Sequence, residues 1–267
     1  MRKKFISADF LKIFAVLLMV TDHASEVIIE NNLMCNTSSI EELVYWVKIN
    51  EVLRGIGRLG FPIFAFLLVE GILHTHDVKK YITRMAVFAV ISEIPYDYAC
   101  NGGFTWAGQN IFLTLTLALI MIVVFQKIEK KPWADGQKWL GIFVVCLIFA
   151  VINTALDGDY GASGIFMIGA IYFWRNHRLA QCILAPAVFL GSSYVARFVL
   201  TWMAGVPKAQ LWALSMMDVA AEWPAIFAFI FIFFYNGERR MKKGKYFFYA
   251  FYPVHLAILA VIARFLI

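Results

Sequence analysis

The chain has 267 residues, 61% hydrophobic and only 16% charged, with a mean hydropathy of +0.72; that leaves too little polar surface for a soluble domain and places it among multi-span membrane proteins. Its formal net charge of +6 would imply an anionic partner in a soluble protein, but here the basic residues cluster in short loops between apolar runs, which is a topology signal. No nucleic-acid-binding motif and no Gly-rich phosphate loop is present, so no nucleic-acid partner is expected.

Arg2-Lys3-Lys4 lead into the first apolar run, residues 8–29. Thr21-Asp22-His23 follows with no small-residue cleavage site, so the run is read as an uncleaved first span and not as a signal peptide. Further runs of about the length that crosses a bilayer occupy 57–75, 79–98, 110–126, 139–156, 161–174, 180–202, 213–235 and 246–266. The sixth is short and the eighth is weak at its start. A spanning segment must satisfy its own backbone hydrogen bonds, so the expected fold is all-α, with about nine transmembrane helices. The one long loop, 30–56, carries Glu41, Glu42 and Trp46 and suits a short surface helix. No repeat or linker divides the chain, which predicts a single domain over 1–267.

The basic residues set the orientation. With the N-terminus in the cytoplasm, the inner segments hold the clusters at 2–4, 79–84, 127–138, 175–178 and 239–245. The outer side keeps Lys48, Arg54, Arg58, Lys208 and Arg264, and Lys12 and Arg197 fall within spans. This bias predicts a cytoplasmic (inner) membrane protein, N-terminus in and C-terminus out. Of the four cysteines, Cys146 and Cys182 lie in spans and pack as small apolar residues; Cys35 and Cys100 fall outside, where a disulfide is permitted.

On this topology the embedded polar residues are lopsided. Asp22, His23, Arg58, Glu93, Asp97, Asn110, Asp157, Asp159, Arg197, Asp218 and Glu222 map to outer halves or ends of spans. Lys12, Glu70 and His74 map to the inner side, with His255 nearer mid-span. Such groups must face a protein interior or a water-filled cavity, so an outward-facing polar vestibule is expected. Glu70 and His74 are spaced to hydrogen-bond along one helix face, as are Glu93 and Asp97, with Pro95 between them expected to end or kink the helix and Pro62 to do so near Arg58. Structural readings stand beside these: Asp157, Asp159 and Glu222 as loop or helix-start residues, Arg58 and Arg197 as counter-ions, His76 and His177 as solvated loop residues, His255 as a packed core histidine. They strain most at Lys12 and His23. These lie eleven residues apart on α-helical sequence, within about 20° of one face and about 16 Å along the axis.

Asp22-His23, FPIFAFLLVEGILHTH at 61–76, SEIPYD at 92–97, NIFLTL at 110–115, DYGASG at 159–164 and YPVHL at 252–256 together resemble the TraX family, named for the F-pilin acetylase of conjugative plasmids. That family is similar to transmembrane acyltransferases of the acyltransferase-three type, in which a Lys or Arg, ten residues and then a His mark the first span; Lys12 and His23 fit that spacing. The resemblance implies an acetyl transfer from cytoplasmic acetyl-CoA, as co-substrate and without a metal, to an acceptor outside, with His23 catalytic. The paired-arginine loop of that group has no clear counterpart, so its donor site is not carried over.

Chemically, His23 suits the work of a base or a transient acyl carrier. Asp22 lies about 100° round the helix from His23 and is a poor orienter of its ring; Glu26 or Glu93 is an equal candidate. Arg58 and Asn110 are candidates for oxyanion or acceptor contacts. Lys12, Glu70, His74, Asp97, Asp159, Tyr160 and His255 complete the set that would bind donor or acceptor. The outer carboxylates favour a cationic acceptor such as an exported peptide N-terminus, with a surface glycan as the hydroxyl counterpart. A proton-coupled transporter built on the same His and acid residues is the rival class, and a non-catalytic partner in appendage assembly a third. For the topology, a single cysteine at Asn101 is expected to react with an impermeant maleimide added to intact cells; labelling only after lysis would reverse the map.

Overall fold

The computed structural model describes residues 4–239 and 245–265, so Arg2, Lys3, Arg240, Lys242, Lys243 and Leu266 lie outside the described residues. Within them the chain is helical, with no strand beyond two isolated bridges. Ser7 opens α1 (Ala8–Ala24), its hydroxyl accepting from the Phe10 amide at 3.2 Å. The helix then widens without a break into a π-helical segment, Ser25–Leu33, and one more turn, α2 (Met34–Asn36). Ala8, Leu11, Ala15, Leu18, Asp22 and Ser25 are buried and Phe10, Ile13 and Leu17 exposed, so one stripe faces protein and the opposite one suits lipid. The two polar members of the buried stripe, Asp22 and Ser25, lie near its C-terminal end.

The segment between the first two apolar runs is helical, as expected, but longer than a short surface helix. It forms α3 (Ile40–Gly57), eighteen residues long, with Ser39 accepting from the Glu42 amide at 3.1 Å and Glu41 and Glu42 in its first turn, where acids complement the helix dipole. After a break at Arg58 and Leu59 the chain continues as α4 (Gly60–Leu73). Pro62 sits in the first turn of α4, where the missing amide costs nothing, so the interruption falls before the proline. Pro95 does not end its helix: α5 (Val78–Cys100) runs through it for another turn and more. One lost backbone bond costs less than exposing the several that a break would free in an apolar medium.

The remaining helices are α6 (Ile111–Glu129), α7 (Asp135–Ala155), α8 (Gly161–Phe173), α9 (Arg178–Met203), α10 (Lys208–Glu222), α11 (Ala228–Phe233) and α12 (Lys245–Arg264), with a 3-10 turn, Trp223–Phe227, between α10 and α11. Every apolar run read from the sequence thus folds as helix. Among the described residues six helical stretches are long and apolar enough to cross a membrane: Ile40–Leu73, Ile111–Glu129, Asp135–Ala155, Arg178–Met203, Lys208–Phe233 and Tyr246–Arg264. This is a membrane protein.

The chain forms two compact units: Met1–Phe64, Val87–Trp106 and Pro224–Ile267 make the first, and Ala65–Ala86 with Ala107–Trp223 the second. In the first, α1 packs against α3 and α12. Gly57 and Gly60 let the junction of α3 and α4 approach α1 closely, since a Cβ on Gly57 would fall 2.6 Å from Asp22 Oδ1 and one on Gly60 3.6 Å from the Ala15 carbonyl. In the second, the short α8 is enclosed by α6, α7 and α9, and its Ile165, Met167, Ile168 and Ile171 are buried.

A polar junction holds that second unit together. Thr114 on α6 donates to Asn153 Oδ1 of α7 (3.1 Å) and to the Asp159 carbonyl (2.7 Å), and Asn153 returns its amide to the Gly161 carbonyl at 2.8 Å. Asn153 is fully buried, and Asp157 and Tyr160 beside it take left-handed φ of 55° and 58°. Replacing Asn153 by Ala strands the groups it satisfies, each costing about 1–3 kcal/mol. The expected result is a lower thermal midpoint in detergent; an unchanged midpoint would show that the junction contributes nothing.

Candidate functional site

His23 stands on α1 beside the buried stripe, and its partner comes from the far end of the sequence. His23 Nδ1 lies 2.7 Å from Nε2 of His255 on α12, the two rings 5.0 Å apart between centres and 14° from parallel. His255 is buried, and its own Nδ1 is 3.0 Å from the Phe251 carbonyl. Tyr252 sets its ring edge-to-face against both imidazoles, at 5.7 Å from His23 and 5.5 Å from His255, and Phe251 stacks on His255 at 5.4 Å. Tyr252 and His255 of the YPVHL stretch therefore both meet the His23 ring.

Around this pair lies a charge cluster. Arg54, from α3, places Nη1 3.0 Å from Asp22 Oδ2 and 2.8 Å from Glu26 Oε2, and Nε 3.7 Å from Glu30 Oε2. Asn50 donates to Glu30 at 3.3 Å and accepts from Ser25 at 2.7 Å. Arg58 adds a second positive charge felt by both Asp22 and His23. In the sequence Arg54 stands only as one of the outer basic residues. The signal that would have found a cation here is Asp22, Glu26 and Glu30 four residues apart on one helix, three carboxylates that need a counter-ion. Glu26 is therefore not the partner of His23 Nδ1: its carboxylate is turned to Arg54, and an imidazole occupies the place expected of an acid.

Lys12, at the other end of the α1 stripe, lies 3.4 Å from Asp9 Oδ1 and 6.0 Å from the centre of the Phe248 ring on α12. Asp97 is fully buried and holds the turn after α5, accepting from the Asn101 side chain at 3.4 Å and the Thr105 amide at 3.2 Å. Glu93 lies one turn earlier, half-buried. Cys35 and Cys100 are not joined to each other, although Asn31, one turn before Cys35, donates to the Cys100 carbonyl at 2.9 Å.

Glu70, His74, Asn110, Asp159 and Tyr160 belong to the second unit. His74 does not bond the Glu70 carboxylate: its Nδ1 sits 2.8 Å from the Glu70 backbone carbonyl, and the carboxylate lies 3.9 Å from Arg178. That carbonyl is among the last four of α4, which lack an amide partner within the helix, so the imidazole caps it. Asp77, in the connection outside the spans, caps α5 through the Lys80 amide at 2.9 Å, and this bond, then the Lys80 side chain, holds its carboxyl below the usual carboxylate range. Asn110 caps α6 through the Phe112 amide at 3.1 Å, and Asp159 accepts from the Tyr160 amide at 2.9 Å.

The family model described as TraX protein matches residues 7–263. The chain belongs to the TraX family. As a TraX-family protein it is 27% identical to a probable fimbrial assembly protein FimC, serogroup H1, of Dichelobacter nodosus, over 97% of each chain. It is 26% identical to Protein TraX of Escherichia coli and 25% identical to Protein TraX of Escherichia coli strain K12, each over 96% of this chain and 86% of the relative. No solved structure matches the chain. The matched span includes Lys12, His23, Arg54 and His255, so the whole cluster lies inside the TraX-family region.

Gly57 is where this geometry can be broken most simply. Gly57→Ala drives a methyl group into Asp22 and is expected to cost about 1–3 kcal/mol, as overpacking does. Gly55→Ala, whose methyl would meet only Pro224 at an ordinary 3.7 Å, is the control. Thermal midpoints of the purified proteins check this; equal midpoints would show that Asp22 is not held where the contacts place it.

Proposed function

We propose that this TraX-family protein is a cytoplasmic-membrane acyltransferase that moves an acetyl group from cytoplasmic acetyl-CoA to an amine or hydroxyl on the outer side. The observation that carries the reading is the imidazole pair His23–His255 at 2.7 Å, with His23 on the same α1 helix as Lys12, about three turns away. A half-buried imidazole with one nitrogen held by a partner is equipped for base catalysis, and ionisable groups embedded in a membrane protein are functional candidates.

Lys12 would receive the anionic part of the donor near the cytoplasmic face, and the acyl-bearing arm would extend along α1 towards His23. His23 takes the proton from the acceptor N–H or O–H as that atom bonds to the thioester carbonyl carbon; the C–S bond then breaks, and the proton passes to the departing sulfur. An acyl-histidine route divides the same bond changes into two steps. Arg58 and the Arg54 cluster lie close enough to His23 to contribute to the field felt by a developing oxyanion. Asp22, Glu26 and Glu30 make the surroundings acidic, which favours a cationic acceptor. With relatives named for fimbrial assembly and TraX, a pilin-like peptide N-terminus is the first acceptor to try and a surface glycan the second.

Purified protein given labelled acetyl-CoA and an acceptor peptide tests this. Transfer is expected in the wild type and is expected to fall on the order of 10²-fold or more in His23→Ala. Lys12→Ala is expected to raise KM for acetyl-CoA with kcat little changed. Proton-coupled solute flux that ignores acetyl-CoA, with no acetylated product, would favour the transporter class.

A further inference from the structure

We propose that His255 is a positioning residue: it fixes His23 in the tautomer that carries its proton on Nδ1, leaving Nε2 as the reacting nitrogen. The inference rests on the acyl-transfer reading above only for its consequence; the placement of the proton follows from the contacts. A backbone carbonyl can only accept, so the 3.0 Å approach of His255 Nδ1 to the Phe251 carbonyl puts a proton on that nitrogen. Neutral His255 then offers its Nε2 as an acceptor. The 2.7 Å contact with His23 holds one proton, and that proton must belong to His23 Nδ1. Neutral His23 is thereby left with a lone pair on Nε2.

The ring geometry agrees. Planes only 14° apart, with centres at 5.0 Å and nitrogens at 2.7 Å, place the bond along the line joining the rings and close to their common plane, which is where an imidazole lone pair points. Face-over-face stacking would bring the centres closer than this bond allows. Tyr252 and Phe251 wall the pair and limit rotation of both rings. Two of the acids that could have taken the orienting role, Asp22 and Glu26, are engaged with Arg54.

When the acceptor gives its proton to His23 Nε2, the resulting imidazolium donates to His255 through a charge-assisted bond, stronger than the neutral one. The proton returns from Nε2 to the sulfur that leaves, and His255 touches no reacting atom. Because His23 lies in α1 and His255 in α12, the correct tautomer forms only when these two helices pair.

Histidine labelled with ¹⁵N in detergent-solubilised full-length protein, assigned by loss of signals in His23→Ala, reads the tautomer directly. The expected spectrum has a protonated Nδ1 and an unprotonated Nε2 on His23; a proton on Nε2 would overturn the proposal whether or not the protein transfers acetyl groups. In kinetics, His255→Ala is expected to lose on the order of 10²–10⁴ in kcat, with KM for acetyl-CoA within about twofold. His255→Gln, whose carbonyl can take the place of Nε2, is expected to recover much of that loss, which a variant that had merely failed to fold would not. Full kcat in His255→Ala would overturn the positioning role. Absence of transfer by the wild type would remove the proposed function, while the spectrum would still decide the tautomer.

Discussion

Asp22, Glu26 and Glu30 occupy successive turns of one helix, and three carboxylates so placed repel one another unless a cation lies among them. Arg54 supplies it from α3, within 3.0 Å of the first two. Such a half-buried cluster adds little net stability by itself, since desolvating the charges offsets their attraction, but removing one member would leave the others uncompensated. What it determines is register. With Arg54 opposite Glu26 and Gly57 against Asp22, α3 can lie along α1 in only one way. His23 is the next residue after Asp22, so that register also fixes the direction of its imidazole, towards α12 and His255. The position of the His23 ring is thus a consequence of where the charges must be matched.

The second unit satisfies a different constraint by the same rule. Its α8 has only thirteen residues and is surrounded by α6, α7 and α9, so its apolar side chains meet protein. Its entry needs left-handed backbone at Asp157 and Tyr160, which neighbouring side chains stabilise: Asp157 Oδ2 accepts from the Gly108 amide at 2.7 Å, and Thr114 and Asn153 hold the turn that follows. Asp159 and Tyr160, which the sequence marks as binding candidates, are built into this turn. Their local contacts are those of a structural corner.

The apolar runs announced the helices because a lipid-facing segment has few other ways to satisfy its backbone, and that constraint is written in composition. Lys12 and His23 were legible too, since α-helical spacing alone puts them on one stripe. Periodicity says nothing of contacts across hundreds of residues, so His255 stood equally as a core residue or a participant until α12 was placed against α1. Arg54 was hidden for a related reason: lying in what reads as a loop, it contributed to a charge count instead of to a site. Glu70 and His74 had the right spacing, but the unmatched carbonyl at the helix end outcompeted the carboxylate. Pro95 shows the limit of local rules, because a packed helix loses more by stopping than by going on with one bond missing.

The central claim is that an acyl group supplied on one face of the bilayer is transferred, through His23, to an acceptor on the other. Reconstituting the protein in sealed vesicles, with labelled acetyl-CoA confined to the side bearing the N-terminus and an amine-bearing peptide confined to the opposite side, tests it most directly. The account predicts labelled peptide in the opposite compartment with wild-type protein and none with His23→Ala. Label appearing only on peptide that shares a compartment with the donor, or appearing equally with His23→Ala, would contradict it.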